Sequence, residues 1–383
     1  MKIVHICLSC FYVEGYGYQE NILTKIHSQM GNEVTVLTSD FAFNEKYEAI
    51  KKENKDYVNK YNVHVKVLDK STKHPYLARF DLFEGLYEEL KAITPDIIFV
   101  HGGEFLSLND VIKYCRKHKG VKLYIDQHGD YYNSPVKGIK GIIAKKVLYG
   151  HFIRKANKYV TKYWGVTPWR CKYLNDIYGV PKRKIDLLVM GGDDEYIHLE
   201  DKENIRKRIR KEFSIGQDDF VVITGGKIDR TKNFHLLMQA VSELEGNIKL
   251  LLFGTPNNEM QEEINRLSGH KNIVFVGWLT PEKASDCFIA SDLAVFPGTH
   301  SVLWEQACAC GIPLMVKDWE GMRHVEIGGN CQFLYEDSKE EIKTRIQEVF
   351  ENKKKYEMMK LNAEKGINIF SYNTIARKAI GLE

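Results

Sequence analysis

Short apolar runs alternate with amphipathic stretches along almost the whole chain. In the first half, Lys2–Leu8, Glu33–Thr38, Val63–Val67, Ile97–His101, Lys122–Asp126, Tyr163–Val166 and Ile185–Leu188 read as strands. Between them, Gln19–Met30, Asp81–Ile93, Leu108–His118, Gly138–Lys158 and Pro168–Ile177 carry apolar residues at helical spacing. Strands that are apolar throughout must be buried on both faces, and helices between them supply the crossovers of a parallel sheet. The sequence MGGDD at Met190–Asp194 interrupts the pattern and reads as a linker. A second series follows, with strands Phe220–Thr224, Ile248–Phe253, Ile273–Val276, Leu293–Phe296 and Leu314–Lys317. The expectation is an α/β protein of two Rossmann-like domains facing each other across a cleft. They cover residues 1–190 and 191–369, and a C-terminal helix over 370–383 packs back toward the first.

In open α/β sheets, ligands bind beyond the carboxyl ends of the strands, so candidate chemistry belongs in the loops that follow them. After the first strand, Gly15 and Gly17 in FYVEGYGYQE let the backbone approach a ligand or simply serve a turn. HGGEF carries Glu104, and DQHGDYYN carries His128, which alone reads first as a satisfied structural histidine and second as a catalytic one. In the second half, GGKIDRTKN supplies Lys227, Arg230 and Lys232. The run FPGTHSVLWEQACACGIP from Phe296 reads as strand, turn and helix, with Ser301 as N-cap of a helix reaching Cys310. Such a turn offers backbone N–H groups and a helix end to a phosphate, and Glu305, one turn in, is placed to accept from ribose hydroxyls. Arg230 is either a third phosphate contact or an exposed loop charge.

At 383 residues with 44% apolar content, the chain can bury two ordinary cores. The net charge of +4 does not point to nucleic acid, and no recognition motif accompanies it. Eight cysteines in so long a chain fit a reducing compartment better than a disulfide framework, and the Cys7–Cys10 pair lacks partners for a zinc site. Met1 is followed at once by a strand, and no apolar run reaches the roughly 18 residues of a spanning helix. The protein is expected in the cytoplasm. No acidic pair stands in a site loop, since Asp193 and Asp194 fall in the linker, so neither metal nor cofactor is expected.

Taken in order, GYGYQE, DQHG, GKIDRTKN, VGWLTPEKASDCFIASDLAVFP and EQACACGIP resemble family 4 of the nucleotide-sugar-dependent glycosyltransferases over essentially the whole chain. The resemblance implies the GT-B fold and sugar transfer from a nucleoside diphosphate donor with retention, without a metal. It implies that Lys227 and Lys232 neutralise the donor diphosphate, that Glu305 holds the ribose, and that His128 contacts the donor sugar. Gly17, Arg230, Trp278, Leu279, Thr299, His300 and Ser301 complete the implied donor set. Two positions depart from the family. Pro297 stands where a first glutamate is usual, with a loop about four residues shorter, so the sugar contact falls to Thr299, His300 or backbone groups. Lys227 replaces an arginine and loses its bidentate geometry. A nucleotide-sugar epimerase of the same fold, or a non-catalytic nucleotide-sugar-binding subunit, are the alternatives.

From Tyr131 to Asn175 there is no acidic residue, while ten Lys and Arg are interleaved with Ile139, Ile142, Ile143 and Val147. A basic amphipathic segment of this kind lies on an anionic membrane surface, or is a core helix with a solvated outer face. On the first reading, Lys140, Lys145 and Lys146, with Glu104, form the acceptor or membrane face. The protein is then peripheral on the inner face of the cell membrane and extends a glycan, lipid-linked, for a surface polysaccharide.

Overall fold

The computed structural model describes residues 1–14, 17–43, 49–52 and 54–382, without the side chains of Ala42, Phe43, Ala49 and Lys140. Gly15 therefore lies outside the described residues. The chain divides into two compact units, Met1–Val189 with Ala376–Glu383, and Met190–Ile375.

The first unit holds β1 (Lys2–Cys7), β2 (Glu33–Ser39), β3 (Phe41–Phe43), β4 (Ala49–Lys51), β5 (Asp56–Val58), β6 (His64–Leu68), β7 (Ile97–His101), β8 (Lys122–Gln127), β9 (Val160–Gly165) and β10 (Ile185–Leu187). Its main sheet runs β10-β9-β8-β7-β1-β2-β6-β5, parallel except for the edge strand β5, while β3 and β4 pair apart. The second unit holds β11 (Phe220–Ile228), β12 (Ile248–Pro256), β13 (Ile273–Phe275), β14 (Leu293–Phe296), β15 (Leu314–Lys317) and β16 (Cys331–Leu334), in the order β13-β12-β11-β14-β15-β16, all parallel. Each sheet starts at its centre, grows outward one way, then reverses. The reversal lies between β1 and β7 in the first unit and between β11 and β14 in the second, and crevices for ligands open at such points.

Local chemistry explains several boundaries. Thr167 and Thr280 cap the helices Pro168–Tyr178 and Pro281–Ile289 by accepting from Arg170 N and Lys283 N, with proline at the first helical position of each. The helix expected from Asp81 begins only at Leu86, because Asp81 (φ 59°) and Gly85 (φ 81°) are left-handed. The single helix expected over Gly138–Lys158 is Gly138–Ile142 and Gly150–Ala156 joined by a π-helical stretch, Ile143–Tyr149. Strands β3, β4 and β5 were not legible because they are three residues each, too short to show a period. The expected linker is packed. Gly192 bridges to Ser371, a side chain on Gly191 would meet the Phe370 carbonyl at 2.1 Å, and Asp194 accepts from Ser371 Oγ. At the end of the chain, Ala376, Ala379 and Ile380 accept from His27, Trp164 and Tyr124 within the first unit. All eight cysteines are free.

Candidate functional site

In the second unit, the reversal point brings the end of β11 beside the loop after β14. β11 runs on to Ile228, so Lys227 leaves from the strand itself, mostly exposed and 4.0 Å from Asp229. Asp229 then accepts from Thr231 N and Thr231 Oγ1, which winds the turn Arg230–Lys232. The loop Pro297–His300 lies directly on that turn. A side chain at Gly298 would meet Thr231 O at 2.3 Å, so only glycine permits the approach.

Every carbonyl of this loop is tied down. Pro297 accepts from Asn233 Nδ2 at 3.1 Å and Gly298 from Trp319 Nε1 at 3.2 Å. Thr299 and His300 both accept from Lys232 Nζ at 2.9 Å. Two of the three ammonium hydrogens of Lys232 are thereby used, and the third is unused among the described residues. Burial lowers its pKa, and the charge of Lys227 adds to this, which poises the ammonium to gain from an anion. Thr299 N donates to Thr231 O, and Thr299 Oγ1 lies 3.3 Å from Thr231 Oγ1.

The helix that follows is two turns, Leu303–Ala309, shorter than the expected start at Ser301. Ser301 sits before it, its hydroxyl accepting from Leu303 N. Glu305 is completely buried and does not reach into open space as expected. Its Oε1 accepts from His300 Nε2 at 2.9 Å and from His324 Nε2 at 2.8 Å, while Oε2 has no partner among the described residues. Burial works to raise its pKa, but the two imidazoles outweigh that and hold it well below the usual carboxylate range. Arg230 is ion-paired with Glu259 at 3.3 Å and Glu263 at 2.9 Å. Trp278 and Leu279 follow β13, with the indole largely exposed.

In the first unit, His128 follows β8 and is half-buried, with Nε2 3.2 Å from Asp126 Oδ2. That contact is close but poorly aligned for a hydrogen bond. The turn behind it is built by Asp130, which accepts from Tyr132 N and Asn133 N at 2.9 Å, while Asn133 Nδ2 donates to the His128 carbonyl. Glu104 accepts from Tyr178 OH at 2.6 Å and lies 3.5 Å from Lys145 Nζ. Lys145 also donates to the Ser134 carbonyl, so it points inward and is not part of an outer basic face. Lys146 is exposed, and the side chain of Lys140 lies outside the described residues. Gly17 is exposed, and an added Cβ would meet nothing within 4 Å, so packing does not require glycine there.

Two clusters escaped the linear reading. His300, Glu305 and His324 place one ligand-type atom each within 4.8 Å of one another, and Glu20, His101 and His128 do the same. Both have the donor types of a divalent-cation site, although each imidazole contact to Glu305 is already a hydrogen bond. His324 was invisible because it lies 19 residues beyond Glu305 on a separate turn. The signal for His5 and His101 was a histidine inside an otherwise apolar strand.

Residues 205–366 match the family model of glycosyl transferases group 1, a span that contains Lys227, Lys232 and Glu305. Mannosylfructose-phosphate synthase from Agrobacterium fabrum (strain C58) is 24% identical over 235 residues, which is 56% of this chain. The match spans about half, 51%, of that synthase. A glycosyltransferase from Rickettsia africae superposes over 100% of this chain and 97% of its own, with TM-score 0.71 and 14% identity. Anabaena HepE in complex with UDP and glucose does so over 99% and 98%, with TM-score 0.66 and 16% identity. The fold is GT-B, and the resemblance to nucleotide-sugar glycosyltransferases holds at the level of group 1.

Proposed function

We propose that this protein is a retaining glycosyltransferase of family 4 that moves a sugar from a nucleoside diphosphate donor to a glycan acceptor. The observation that carries the reading is the loop Pro297–His300, clamped by Lys232 and Asn233 so that one ammonium hydrogen and the exposed Lys227 remain for a ligand. Breaking a sugar–phosphate bond builds negative charge on the leaving diphosphate, and fixed cations in a site that needs no rearrangement stabilise that charge. In this reading Lys232 and Lys227 serve the diphosphate without a metal, and Glu305 Oε2, buried and unpartnered, accepts from the ribose. Trp278 offers an aromatic face to the base, and His128 meets the donor sugar. The UDP and glucose bound by HepE, which shares the fold, support a UDP-sugar as the first donor to try.

The acceptor is lipid-linked in this proposal, and the protein docks on the inner face of the cell membrane to extend a surface polysaccharide. Support comes from the stretch 138–149, where Ile139 is 76% exposed and Ile142, Ile143 and Val147 are also exposed beside Lys146. Apolar side chains on the outside of a basic segment fit insertion at a lipid interface and do not fit the core-helix alternative. Among the described residues, no helix is long and apolar enough to cross a membrane.

The test is a panel of UDP- and GDP-sugars read by thermal shift and by donor turnover with and without anionic vesicles carrying a lipid-linked glycan. Stabilisation by one donor, glycan-dependent turnover unaffected by chelator, and salt-weakened vesicle sedimentation are expected. Donor turnover that needs no acceptor would replace transfer by epimerisation, and binding without turnover would leave a binding subunit.

A further inference from the structure

The first unit contains a run of buried histidines that the proposed transfer does not yet use. His27 lies on the helix Gln19–Gln29, His5 on β1 and His101 on β7, and all three are buried. His27 Nε2 is 2.8 Å from the carbonyl of Ala376, and its Nδ1 is 3.0 Å from His5 Nε2. His5 Nδ1 is 2.9 Å from His101 Nε2, and His101 Nδ1 is 2.8 Å from Asp126 Oδ2. The same oxygen faces His128 Nε2 at 3.2 Å.

The two ends of the run dictate where its hydrogens are. A carbonyl only accepts, so His27 carries hydrogen on Nε2, and a neutral His27 then accepts at Nδ1 from His5 Nε2–H. A neutral His5 accepts in turn from His101 Nε2–H. At the other end Asp126 accepts from His101 Nδ1 on one oxygen and from Gly102 N–H at 3.0 Å on the other, and His128 Nε2 lies 3.2 Å from the first oxygen, close although poorly aligned. A carboxyl hydrogen has no acceptor there, so Asp126 is ionised and His101 Nδ1 also carries hydrogen.

We infer that His101 is held as an imidazolium against Asp126, and that this pair fixes the tautomer of His128, keeping hydrogen on Nε2 and presenting a bare Nδ1 to a sugar hydroxyl. The inference rests on the reading that His128 meets the donor sugar. His5, His101 and Asp126 are positioning residues in it, and the pair is neutral overall, so it orients His128 without placing net charge at the sugar. The surrounding groups agree. Burial pushes His27 down to about 4 and His5 well below its ordinary value. Burial also pulls His101 down, but Asp126, Cys7 and Glu20 reverse this and lift it to about 9. Glu20, the other acid facing His101 and His128, is itself raised by burial.

The experiment is nitrogen NMR of the whole protein labelled with 15N-histidine, between pH 6 and 8. His101 is expected to show two protonated nitrogens throughout, His5 and His27 one each, and His128 hydrogen on Nε2. Asp126→Asn should return His101 to a single hydrogen, shift the His128 tautomer, and lower turnover roughly 100-fold with nucleotide affinity unchanged. Should that variant fail to fold, the signature of the unmodified protein decides the matter. A singly protonated His101 at pH 7, or a His128 tautomer unmoved in a folded Asp126→Asn, overturns the inference. A protein that turns over no nucleotide-sugar yet shows the doubly protonated His101 upholds the relay and fails the functional reading instead.

Discussion

Asp126 and Glu305 are completely buried carboxylates, one in each unit, and they are satisfied differently. Glu305 accepts from two imidazoles, Asp126 accepts from His101 and has His128 close by but poorly aligned, and both carboxylates are held ionised although buried. Asp126 is finished: its second oxygen takes the Gly102 amide, and behind His101 the run His5–His27 ends on a carbonyl. Glu305 is unfinished, because Oε2 and His324 Nδ1 are both buried without a partner among the described residues. An unsatisfied buried acceptor costs about 1–3 kcal/mol, and that cost persists where a ligand supplies the missing donor. The difference separates a carboxylate that shapes its neighbours from one that waits for a substrate.

Breaking the finished site should do the most damage to the fold. Asp126→Asn removes one partner of the buried pair and forces His101 to give up its extra proton, and is expected to destabilise the first unit by about 3–5 kcal/mol. Urea unfolding read through that unit measures it. Lys232→Ala should come next, and it acts on function. Removing the ammonium frees the Thr299 and His300 carbonyls and takes one charge from the diphosphate, so turnover falls by roughly 100-fold. Unchanged kinetics would remove the diphosphate assignment. Glu305→Gln should be milder, with stability lowered by about 1 kcal/mol and nucleotide affinity by about tenfold, read by calorimetric titration. If Glu305→Gln unfolds its unit as severely as Asp126→Asn unfolds the other, or leaves nucleotide affinity intact, Glu305 is structural and the contrast collapses.

The two sites also differ in how far the sequence revealed them. The parallel sheets followed from apolar runs, because strands such as Leu293–Phe296 and Leu314–Lys317 are largely apolar. The contacts of Lys232 with His300 and of His300 with Glu305 join residues that the sequence already set in the loops after β11 and β14. What was not legible depends on pairing across distance. His324 joins Glu305 from another turn, Arg230 is taken by Glu259 and Glu263, and Lys145 turns inward to Ser134. The imidazole relay draws on two strands and a helix, with Ala376 at its far end. Burial of polar side chains, which decides all of these, follows from packing and not from spacing along the chain.

The last contrast is one of pH, and its sign distinguishes the units. His101 is raised to about 9 in the folded protein, so its stabilisation is complete below the ordinary histidine pKa of about 6.5 and is lost as pH climbs through 9. His27, at about 4, and His5 act oppositely: below about pH 6.5 the unfolded chain takes up protons that these buried rings refuse, so stability rises with pH up to that point. Amide protection of β1 should therefore peak near pH 6.5 and decline on both sides, by no more than about 1.4 kcal/mol per pH unit above the peak, the limit for one proton. Glu305 is depressed, so its contribution is present above its unfolded pKa and disappears only as pH falls below it. Protection of β14 should accordingly hold level from pH 6.5 to 9 while that of β1 declines. Hydrogen exchange on the two strands in one sample, corrected for the intrinsic pH dependence of exchange, makes the comparison internal. Parallel profiles for β1 and β14 would mean that His101 carries no extra proton, and the relay would lose its charged end.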